Sequence, residues 1–337
     1  MSETVLLTGV SGYVGLHAAK LLLEAGFAVR GSVRKKAKEK QVFDALRSAS
    51  VDTSKLTVVE LDLTSDVGWD AAALGADYVM HVASPFAVAA PKHEDEMIKP
   101  AVDGTLRALR AAKSAGVKRV VLTSSLLAMG GHIKRGTVKP SDWTDLNDPS
   151  VSAYTKSKTL AEKAAWDFVN SQDDAAPLEL VVVSPGAIFG PPVGSDLSGT
   201  SMSSVANMLR GKVPMVPQLA MPMVDVRDIA RIHVEALTNP DAVGQRLIVA
   251  DPTPRGFGDI AQILKDGGYK GPSTRVAPNF MIRFMALFDR EAKGTVGYLG
   301  MNQTADVSLT RKIFNWSPIP FDTTILDTGK AIKSLQG

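Results

Sequence analysis

Short apolar runs alternate with longer amphipathic stretches from Val5 to Val183. Runs of β-branched and apolar residues predict buried strands, whereas apolar positions at helical spacing predict helices. The predicted strands are residues 5–8, 28–33, 55–61, 78–82, 119–123 and 180–183, and the clearest helices are 12–25, 94–115 and 152–170. This alternation predicts an α/β fold of the Rossmann type, a doubly wound parallel sheet with helices on both faces.

The pattern changes after Ser184. Prolines and methionines crowd the stretch 185–223, and the regular alternation ends there. A predicted helix at 226–237 and a predicted strand at 246–249 return to the sheet, and small helices with Gly/Pro turns follow. We therefore predict a Rossmann domain from 1–185 together with 225–251, and a smaller, discontinuous C-terminal lobe from 186–224 and 252–337.

Composition narrows the classes of function. The chain has 337 residues, 45% of them apolar, so it can bury a sizeable core and is not disordered. Its 38 basic and 35 acidic residues nearly balance, so neither nucleic acid nor an anionic membrane is expected as a partner. Small molecules are expected instead.

No cysteine is present, which excludes disulfides, thiolate catalysis and cysteine-ligated metals and favours a reducing compartment. The five histidines form no H-x-H or H-E-x-x-H pattern, so no metal site is expected. The first residues lack a secretory signal pattern, and the longest apolar stretches are shorter than the ~20 residues that span a bilayer. A soluble, cytoplasmic protein is expected.

A glycine-rich loop joins the first predicted strand to the first predicted helix. Gly9 allows a tight turn, Gly12 lets a pyrophosphate approach the backbone, and Gly15 lets the helix pack close to the sheet. Free N–H groups and the positive end of the helix dipole then face the anion. A tight turn without a ligand is the simpler alternative, but the strand and helix context favours a dinucleotide. The loop residues predicted to contact it are Thr8, Gly9, Ser11, Gly12, Tyr13, Val14 and Gly15.

The end of the second strand decides between NAD(H) and NADP(H). An acid there would bind the ribose 2′-hydroxyl, but Val33 is followed by Arg34. An arginine offers a bidentate guanidinium to a phosphate. NADP(H) is therefore the predicted cofactor, with Arg34 as its 2′-phosphate ligand. The lysines within 35–40 are more simply the solvated start of a helix, although Lys40 is also a candidate contact.

The fourth strand is predicted to end in the crevice where ligands of open α/β sheets bind. The residues that follow it, Val82, Ala83 and Ser84, are therefore candidate cofactor contacts. His81 is expected to be a packed histidine and not a catalyst.

Tyr154 and Lys158 lie one turn apart on one face of a predicted helix. A nearby ammonium stabilises a phenolate, so this tyrosine is expected to exchange its proton closer to neutral pH than its usual pKa of ~10 allows. Thr123, Ser124 and Ser125 close the preceding strand, and a serine hydroxyl there can hold a carbonyl oxygen while Tyr154 protonates it. Spacing alone leaves Ser124 and Ser125 open. An ordinary amphipathic helix with a snorkelling lysine is the alternative interpretation.

Several motifs resemble a single family. They are the T-G-x-x-G-x-x-G loop, S-P-G-A-I-F-G-P at 184–191, V-D-V-R-D-I-A at 224–230 and W-S-P-I-P at 316–320. Through them the chain resembles the extended short-chain dehydrogenase/reductase family nearly end to end. V-A-S-P-F at 82–86 and S-K-T-L-A-E-K-A-A-W at 157–166 resemble its branch of dihydroflavonol reductases, cinnamoyl-CoA reductases and fungal methylglyoxal and carbonyl reductases.

The resemblance implies an NADPH-dependent reductase of aldehydes or ketones, monomeric or homodimeric, whose Rossmann domain binds the cofactor and whose C-terminal lobe binds the substrate. Ser125, Tyr154 and Lys158 match the family's catalytic triad, and Lys158 would also bind the nicotinamide ribose. Further cofactor contacts implied by the resemblance are Asp62 and Leu63 beside the adenine, and Thr123, Pro185, Gly186 and Ile188. The substrate pocket is expected to involve the 202–223 stretch and Phe86, Leu126, Met129, Gly130, Phe189 and Met215.

The chain departs from the specialised members of that branch. Gly130 stands where plant flavonoid reductases have asparagine, and residues 151–158 differ from the N-W-Y-C-Y-x-K signature of cinnamoyl-CoA reductases. Flavonoids and cinnamoyl-CoA are therefore not expected as substrates, and a small or aryl aldehyde or ketone is expected instead. Two other functions stay open, a sugar-nucleotide epimerase or dehydratase that retains NAD(P), and a non-catalytic NADP-binding sensor. Arg34 argues against the epimerase or dehydratase. The presence of Tyr154 and Lys158 argues against the sensor, because a protein that only binds NADP has no need of them.

Overall fold

The computed structural model describes residues 2–85, 89–173 and 176–336. The elements of its first part, in chain order, are β1 (Thr4–Thr8), α1 (Tyr13–Glu24), β2 (Ala28–Val33), α2 (Glu39–Ser48), β3 (Leu56–Glu60), α3 (Trp69–Ala73), β4 (Tyr78–His81), α4 (Asp95–Ser114), β5 (Arg119–Thr123), α5 (Leu127–Gly130), β6 (Arg135–Val138), α6 (Ala153–Asn170) and β7 (Glu179–Pro185). The elements that follow are β8 (Ala187–Phe189), α7 (Thr200–Leu209), β9 (Ala220–Asp225), α8 (Val226–Thr238), β10 (Arg246–Val249), β11 (Pro254–Gly256), α9 (Phe257–Asp266), α10 (Asn279–Met285), α11 (Arg290–Val296), β12 (Asn302–Ala305), α12 (Ser308–Phe314) and α13 (Phe321–Gln336).

A parallel sheet forms the centre of the molecule, with the strand order β10-β7-β5-β4-β1-β2-β3. The chain order reverses between β1 and β4, so the loops after these two strands open a crevice at the carboxyl edge of the sheet. The predicted Rossmann-type fold is confirmed, and the predicted strands correspond to β1 to β5 and β7 with small differences at their ends.

Helices cover both faces of this sheet, which explains why its strands are almost continuously apolar. Within β1, Val5 and Leu7 face the core formed with α1 and α8, whereas Leu6 faces the core formed with α3, α4 and α6. Successive side chains of a strand point to opposite faces, so one strand supplies both cores.

The chain returns to the large sheet after β9. Helix α8 leads to β10, which pairs in parallel with β7 from Arg246 opposite Val182 to Val249 opposite Pro185. This return places both ends of the 186–224 segment beside the carboxyl edge of the sheet.

A second sheet has the order β11-β9-β12-β6, and β8 pairs with β9. Strand β6 lies in a stretch for which the sequence analysis predicts no element, because its residues Arg-Gly-Thr-Val are mostly exposed and show no apolar run. A separate apolar core beside this sheet contains Phe189, Met202, Met208, Ile260 and Phe321. In the part of the chain that the structure describes, no helix is both long and apolar enough to cross a bilayer.

Candidate active site

A cavity of about 1710 Å³ runs along the carboxyl edge of the large sheet, from the glycine loop after β1 to the segment 293–299 before β12. Sites for one drug-sized ligand measure ~300–1,000 Å³. This cavity can therefore hold a dinucleotide together with a smaller molecule.

The glycine loop fits closely against its neighbours, as a phosphate-binding turn requires. Gly9 has a φ of +71°, and a Cβ on it would lie 3.0 Å from the Cα of Ala83. A Cβ on Gly15 would lie 2.2 Å from the carbonyl oxygen of Gly9, so α1 packs directly onto the turn. Gly12 caps α1 without a side chain, which leaves the backbone N–H groups of the helix start open toward the cavity.

Six of the seven predicted loop residues line the cavity: Gly9, Ser11, Gly12, Tyr13, Val14 and Gly15. Thr8 does not. It is fully buried, and its Oγ1 accepts hydrogen bonds from the N–H groups of Val82 and Ala83, each at 3.1 Å. Thr8 thus ties the end of β1 to the end of β4 and shapes the crevice from behind. The hydroxyl of Tyr13 donates to the carbonyl of Gly190 at 2.7 Å.

Cations line the cavity where β2 ends. Arg34, Lys35 and Lys38 all lie on its wall and are exposed. Lys40 does not reach the wall, because α2 begins at Glu39 and turns Lys40 outward, where its Nζ lies 2.6 Å from Asp44. Lys35 and Lys38 are therefore the lysines that accompany Arg34.

The predicted adenine contacts also line the cavity. Asp62 and Leu63 follow β3 on the wall. The Asp62 carboxylate accepts hydrogen bonds from the hydroxyl and the N–H of Thr64, at 2.7 and 2.8 Å. These bonds, and more weakly the charge of Arg34, hold the pKa of Asp62 below its usual value. The other predicted cofactor contacts on the wall are Val82, Ala83, Ser84, Thr123, Pro185, Gly186 and Ile188.

Tyr154, Ser125 and Lys158 meet in the middle of the cavity wall. Ser152 caps the start of α6 by accepting from the N–H of Thr155 at 3.2 Å, so Tyr154 lies in the first turn. The Tyr154 hydroxyl shares a hydrogen bond with the Ser125 side chain. One turn further, the Nζ of Lys158 donates to the carbonyl of Thr123 at 3.0 Å.

The geometry distinguishes the two serines that spacing leaves open. Ser125 reaches Tyr154, and its Oγ also accepts from the N–H of Leu127 at 3.2 Å. Ser124 is turned to the other side of the strand end, where its hydroxyl donates to the buried carboxylate of Glu162. Ser125 is therefore the serine in reach of a molecule bound beside Tyr154.

Burial sets the proton affinities of Tyr154 and Lys158. It raises the pKa of Tyr154 above its usual value, the nearby Tyr298 adds to the rise, and the bond to Ser125 opposes it. Burial also lowers the pKa of Lys158 to about 8, against an opposing effect of Glu162. The expectation of a more acidic phenol is thus wrong for this arrangement, because the cost of burying a phenolate exceeds the help from a lysine turned toward Thr123. Tyr154 is held protonated.

A second tyrosine, which the sequence analysis does not find, completes this part of the wall. The hydroxyl of Tyr298 lies 2.7 Å from the Oγ of Ser152. Lys134 donates to the carbonyl of Gly297, and a Cβ on Gly297 would lie 2.5 Å from the carbonyl oxygen of Ser150. These contacts hold the turn at 297–298 against the start of α6. The partners are far apart in the chain, so no local motif could reveal them.

The structure brings only some of the predicted substrate-pocket residues to the cavity wall. Leu126 and Phe189 line the cavity, and Phe86 lies outside the described residues. Met129 is fully buried in the sheet core, and a Cβ on Gly130 would lie 2.4 Å from Val138, so both lie behind the wall. Met215 packs in a small cluster with Ala277, Ile282 and Leu299. The methionines of the 202–223 stretch that line the wall are Met202, Met221 and Met223.

None of the described histidines lines this wall. His81 is buried, as expected of a packed histidine, and burial lowers its pKa to about 3 with a further contribution from the charge of Lys158. Among the described residues, no three His, Asp or Glu side chains are grouped to hold a metal ion.

Comparison with known proteins agrees with this arrangement. The model of the NAD dependent epimerase/dehydratase family matches residues 5–250. The chain belongs to this family. It is 32% identical to the cinnamoyl-CoA reductase CAD2 of Medicago truncatula, over 79% of this chain and 81% of the relative. It is also 32% identical to an anthocyanidin reductase of Vitis vinifera, over 82% of this chain and 84% of the relative.

A solved structure of the family is similar along almost the whole chain. The yeast methylglyoxal/isovaleraldehyde reductase Gre2, complexed with NADPH, superposes with a TM-score of 0.80 and 25% identity over 99% of both chains. The predicted relation to extended short-chain dehydrogenases/reductases is confirmed.

Two of the motifs that carried the family resemblance are structural. Asp225 caps α8 and binds Arg227, which in turn pairs with Asp327 of α13 at 2.9 Å. Asp228 accepts from the N–H of Ile319 in the W-S-P-I-P segment at 2.8 Å. Both motifs lie away from the cavity wall and join the C-terminal helix to the large sheet.

Proposed function

We propose that this protein is an NADPH-dependent reductase that converts aldehydes or ketones to alcohols. The observation that carries the proposal is that Ser125, Tyr154 and Lys158 line the same cavity that begins at the glycine loop and Arg34. Proton donor and dinucleotide-binding turn thus share one enclosed space. The reductase names of the relatives support the same reaction class.

The residues fit NADP(H) along the length of the cavity. The open N–H groups at the start of α1 would hold the pyrophosphate, and a side chain at Gly9 or Gly15 would fill the space it needs. Arg34, with Lys35 and Lys38, would hold the 2′-phosphate, since residues 34–38 contain four cations and no carboxylate and these three cations lie on the wall. Asp62 and Leu63 would contact the adenine. Val82, Ala83, Ser84, Thr123, Pro185, Gly186 and Ile188 would enclose the nicotinamide end. When bound, NADPH supplies a hydride.

The chain's own groups handle the substrate oxygen. Ser125 orients the carbonyl oxygen by a hydrogen bond, and the Tyr154 hydroxyl transfers its proton to that oxygen as negative charge develops there. An alkoxide is a stronger base than a phenolate, so the raised pKa of Tyr154 keeps the donor protonated without preventing the transfer. The charge of Lys158 stabilises the phenolate that remains.

The two sheets would divide the work. Residues 1–185 with 225–251 would bind the cofactor, and 186–224 with 252–337 would bind the substrate. Strand β6 is part of the first of these stretches but pairs in the second sheet. Leu126, Phe189 and the wall methionines offer apolar, adaptable contacts near Tyr154. A small or aryl carbonyl compound suits such a wall.

The test is to follow NADPH and NADH consumption separately with a panel of aldehydes, ketones and diketones. Consumption of NADPH by at least one carbonyl compound, with much weaker use of NADH, is the expected result. Binding of NADPH without turnover would instead identify a sensor. Tightly retained oxidised cofactor in the purified protein would point to epimerase or dehydratase chemistry.

A further inference from the structure

A buried carboxylate lies directly behind the cavity. Glu162 follows Lys158 by one turn of α6, and its side chain is 0% exposed. One carboxylate oxygen accepts from the Nε of Arg246 at 2.5 Å and from the indole N–H of Trp166 at 3.3 Å. The other accepts from the hydroxyl of Ser124. Burying a charged carboxylate is costly unless it is paired and hydrogen-bonded in this way, and the reaction described above does not use it.

Arg246 is held as firmly as the carboxylate it binds. Its guanidinium donates to the carbonyls of Pro140 and Asp142, at 2.5 and 2.8 Å. It also stacks on the ring of Trp143, with 3.7 Å between the guanidinium carbon and the ring centre. An arginine fixed by two carbonyls and an aromatic face leaves the Glu162 carboxylate little freedom to move.

Glu162 and Lys158 both border a small cavity behind the active site. It measures about 10 Å³, and His81, Thr123 and Ser124 are among its other lining residues. A volume of ~10–15 Å³ holds one water molecule. Residues four apart on a helix lie on the same face, so Lys158 and Glu162 reach this space from one face of α6.

Few other charges act on Lys158. Tyr154 and Glu162 face it from its own helix, His81 from β4 and His233 from α8, and Arg246 of β10 lies beyond Glu162. Helix α4 contributes the uncharged Thr105 to the small cavity. Burial, with a smaller effect of Lys158 itself, lowers the pKa of His81 to about 3 and that of His233 to about 4. Both are neutral above about pH 5, which leaves Glu162 and Arg246 as the charges that matter.

We propose that Glu162 is a positioning residue for the reductase reaction: its carboxylate, fixed by Arg246, keeps Lys158 charged and directed at the Thr123 carbonyl from behind the active site. The proposal rests on the proposed function. Its physical basis is that an ammonium enclosed by protein loses its proton unless an opposite charge compensates for lost hydration. Burial does lower the pKa of Lys158, and Glu162 is the group that opposes the shift.

The decisive variant is Glu162→Gln, which keeps the shape and removes the charge. In protein labelled with ¹³C-lysine, the Lys158 signal is assigned by its loss in Lys158→Met and is titrated with pH. We expect the Lys158 pKa to fall by about one unit or more. The alkaline limb of the kcat–pH profile should move down by the same amount. An unchanged Lys158 pKa would overturn the proposal.

Two further variants separate charge from structural damage. Arg246→Lys keeps a cation beside the carboxylate but disturbs the contacts with Pro140, Asp142 and Trp143, so the Lys158 pKa should stay close to its value in the unchanged protein; a fall as large as in Glu162→Gln would mean that disturbed packing is the cause. If Glu162→Gln does not fold, Glu162→Asp is titrated in its place: its shorter side chain draws the carboxylate back, so the Lys158 pKa should fall by a smaller amount, and an unchanged pKa would overturn the proposal. Glu179→Gln is the matched control, because Glu179 pairs with the buried Arg119 away from the site. It should leave the Lys158 pKa unchanged.

The two readouts also distinguish this proposal from the proposed function. The lysine titration needs no turnover, so it stands even if no carbonyl compound is reduced. Conversely, NADPH-dependent reduction combined with an unshifted Lys158 signal in Glu162→Gln would refute only the role of Glu162.

Discussion

The two ends of the cavity are built in different ways. The end that begins at the glycine loop comes from consecutive elements, β1, α1 and the start of the chain after β2. The end around Tyr154 is assembled from β5, α6 and the segment 293–299, which lies far away in the chain. Local chain geometry therefore determines the first end, whereas tertiary packing determines the second.

The two ends also differ in the solvent exposure of their charged groups. Arg34, Lys35 and Lys38 are exposed, so solvent screens them and each contributes modestly. Tyr154 is half-buried and Lys158 is buried, and burial moves the pKa values of both. Changes at the buried end are therefore expected to alter rates strongly, and changes at the exposed end to alter cofactor affinity moderately.

The largest effect is expected for Tyr154→Phe. Removal of the proton donor should lower kcat by ~10²–10⁴-fold, because Ser125 alone cannot supply a proton to the product alkoxide. NADPH affinity, followed by fluorescence titration, should stay nearly unchanged. The measurement is steady-state NADPH consumption with the best carbonyl compound of the panel.

Tyr78→Phe is the matched control for this variant. Tyr78 is a buried tyrosine of β4 whose hydroxyl donates to Glu3 at 3.2 Å, away from the cavity. Its loss should leave kcat unchanged. Activity retained in Tyr154→Phe would show that another group donates the proton, and the comparison of the two ends would lose its basis.

The next effect is expected at the exposed end. Arg34→Asp replaces a cation with an anion beside the 2′-phosphate site and should weaken NADPH binding by ~10–100-fold, with a much smaller change for NADH. Dissociation constants for the two cofactors give the ratio directly. Lys40→Asp makes the same charge change at a residue that pairs with Asp44 outside the wall, so it should alter neither constant much. Equal losses of NADPH and NADH in Arg34→Asp would contradict a 2′-phosphate contact.

Lys40 shows where prediction from sequence reaches its limit. Arg34 could be predicted as a cofactor contact because it directly follows β2, and the end of a strand fixes the direction of the next residue. Beyond Arg34, a short helical turn at Lys36–Lys38 sets the direction of each lysine, and composition cannot decide between Lys35, Lys38 and Lys40. Thr8 lies behind the wall for a reason of the same kind, since its place in the motif does not reveal that its hydroxyl binds the residues after β4.

The catalytic end was predictable only along α6 and β5. Tyr154, Lys158 and the serine pair follow from helical spacing and from the end of a strand. Tyr298 does not, because its contact with Ser152 depends on the fold of the C-terminal segment. The direction of the Tyr154 pKa was also mistaken, because spacing reveals a neighbouring lysine but not burial.

A pH profile tests the buried end without a variant. Lys158 is charged below its pKa of about 8 and neutral above it, so kcat at saturating NADPH should be level near neutral pH and fall up to ~10-fold per pH unit above about 8. Tyr154, with a raised pKa, stays protonated over this range and does not cause the fall. A profile that stays level well above pH ~9 would mean that the reaction does not need the charge of Lys158.

The smallest effect is expected for Tyr298→Phe, which removes one hydroxyl from the tertiary end of the cavity. Loss of its bond to Ser152 should loosen the turn at 297–298 and lower kcat/KM by ~2–10-fold, the range for one neutral hydrogen bond. Ser152→Ala removes the same bond from the other side, but it also removes the cap of α6 and should lower the melting temperature as well. If Tyr298 acts through Ser152, the double variant should be no slower than Ser152→Ala. A loss of activity in Tyr298→Phe as large as that in Tyr154→Phe would instead make Tyr298 the proton donor. Removal of a hydroxyl that only holds the turn in place should not remove the whole rate contribution of the acid.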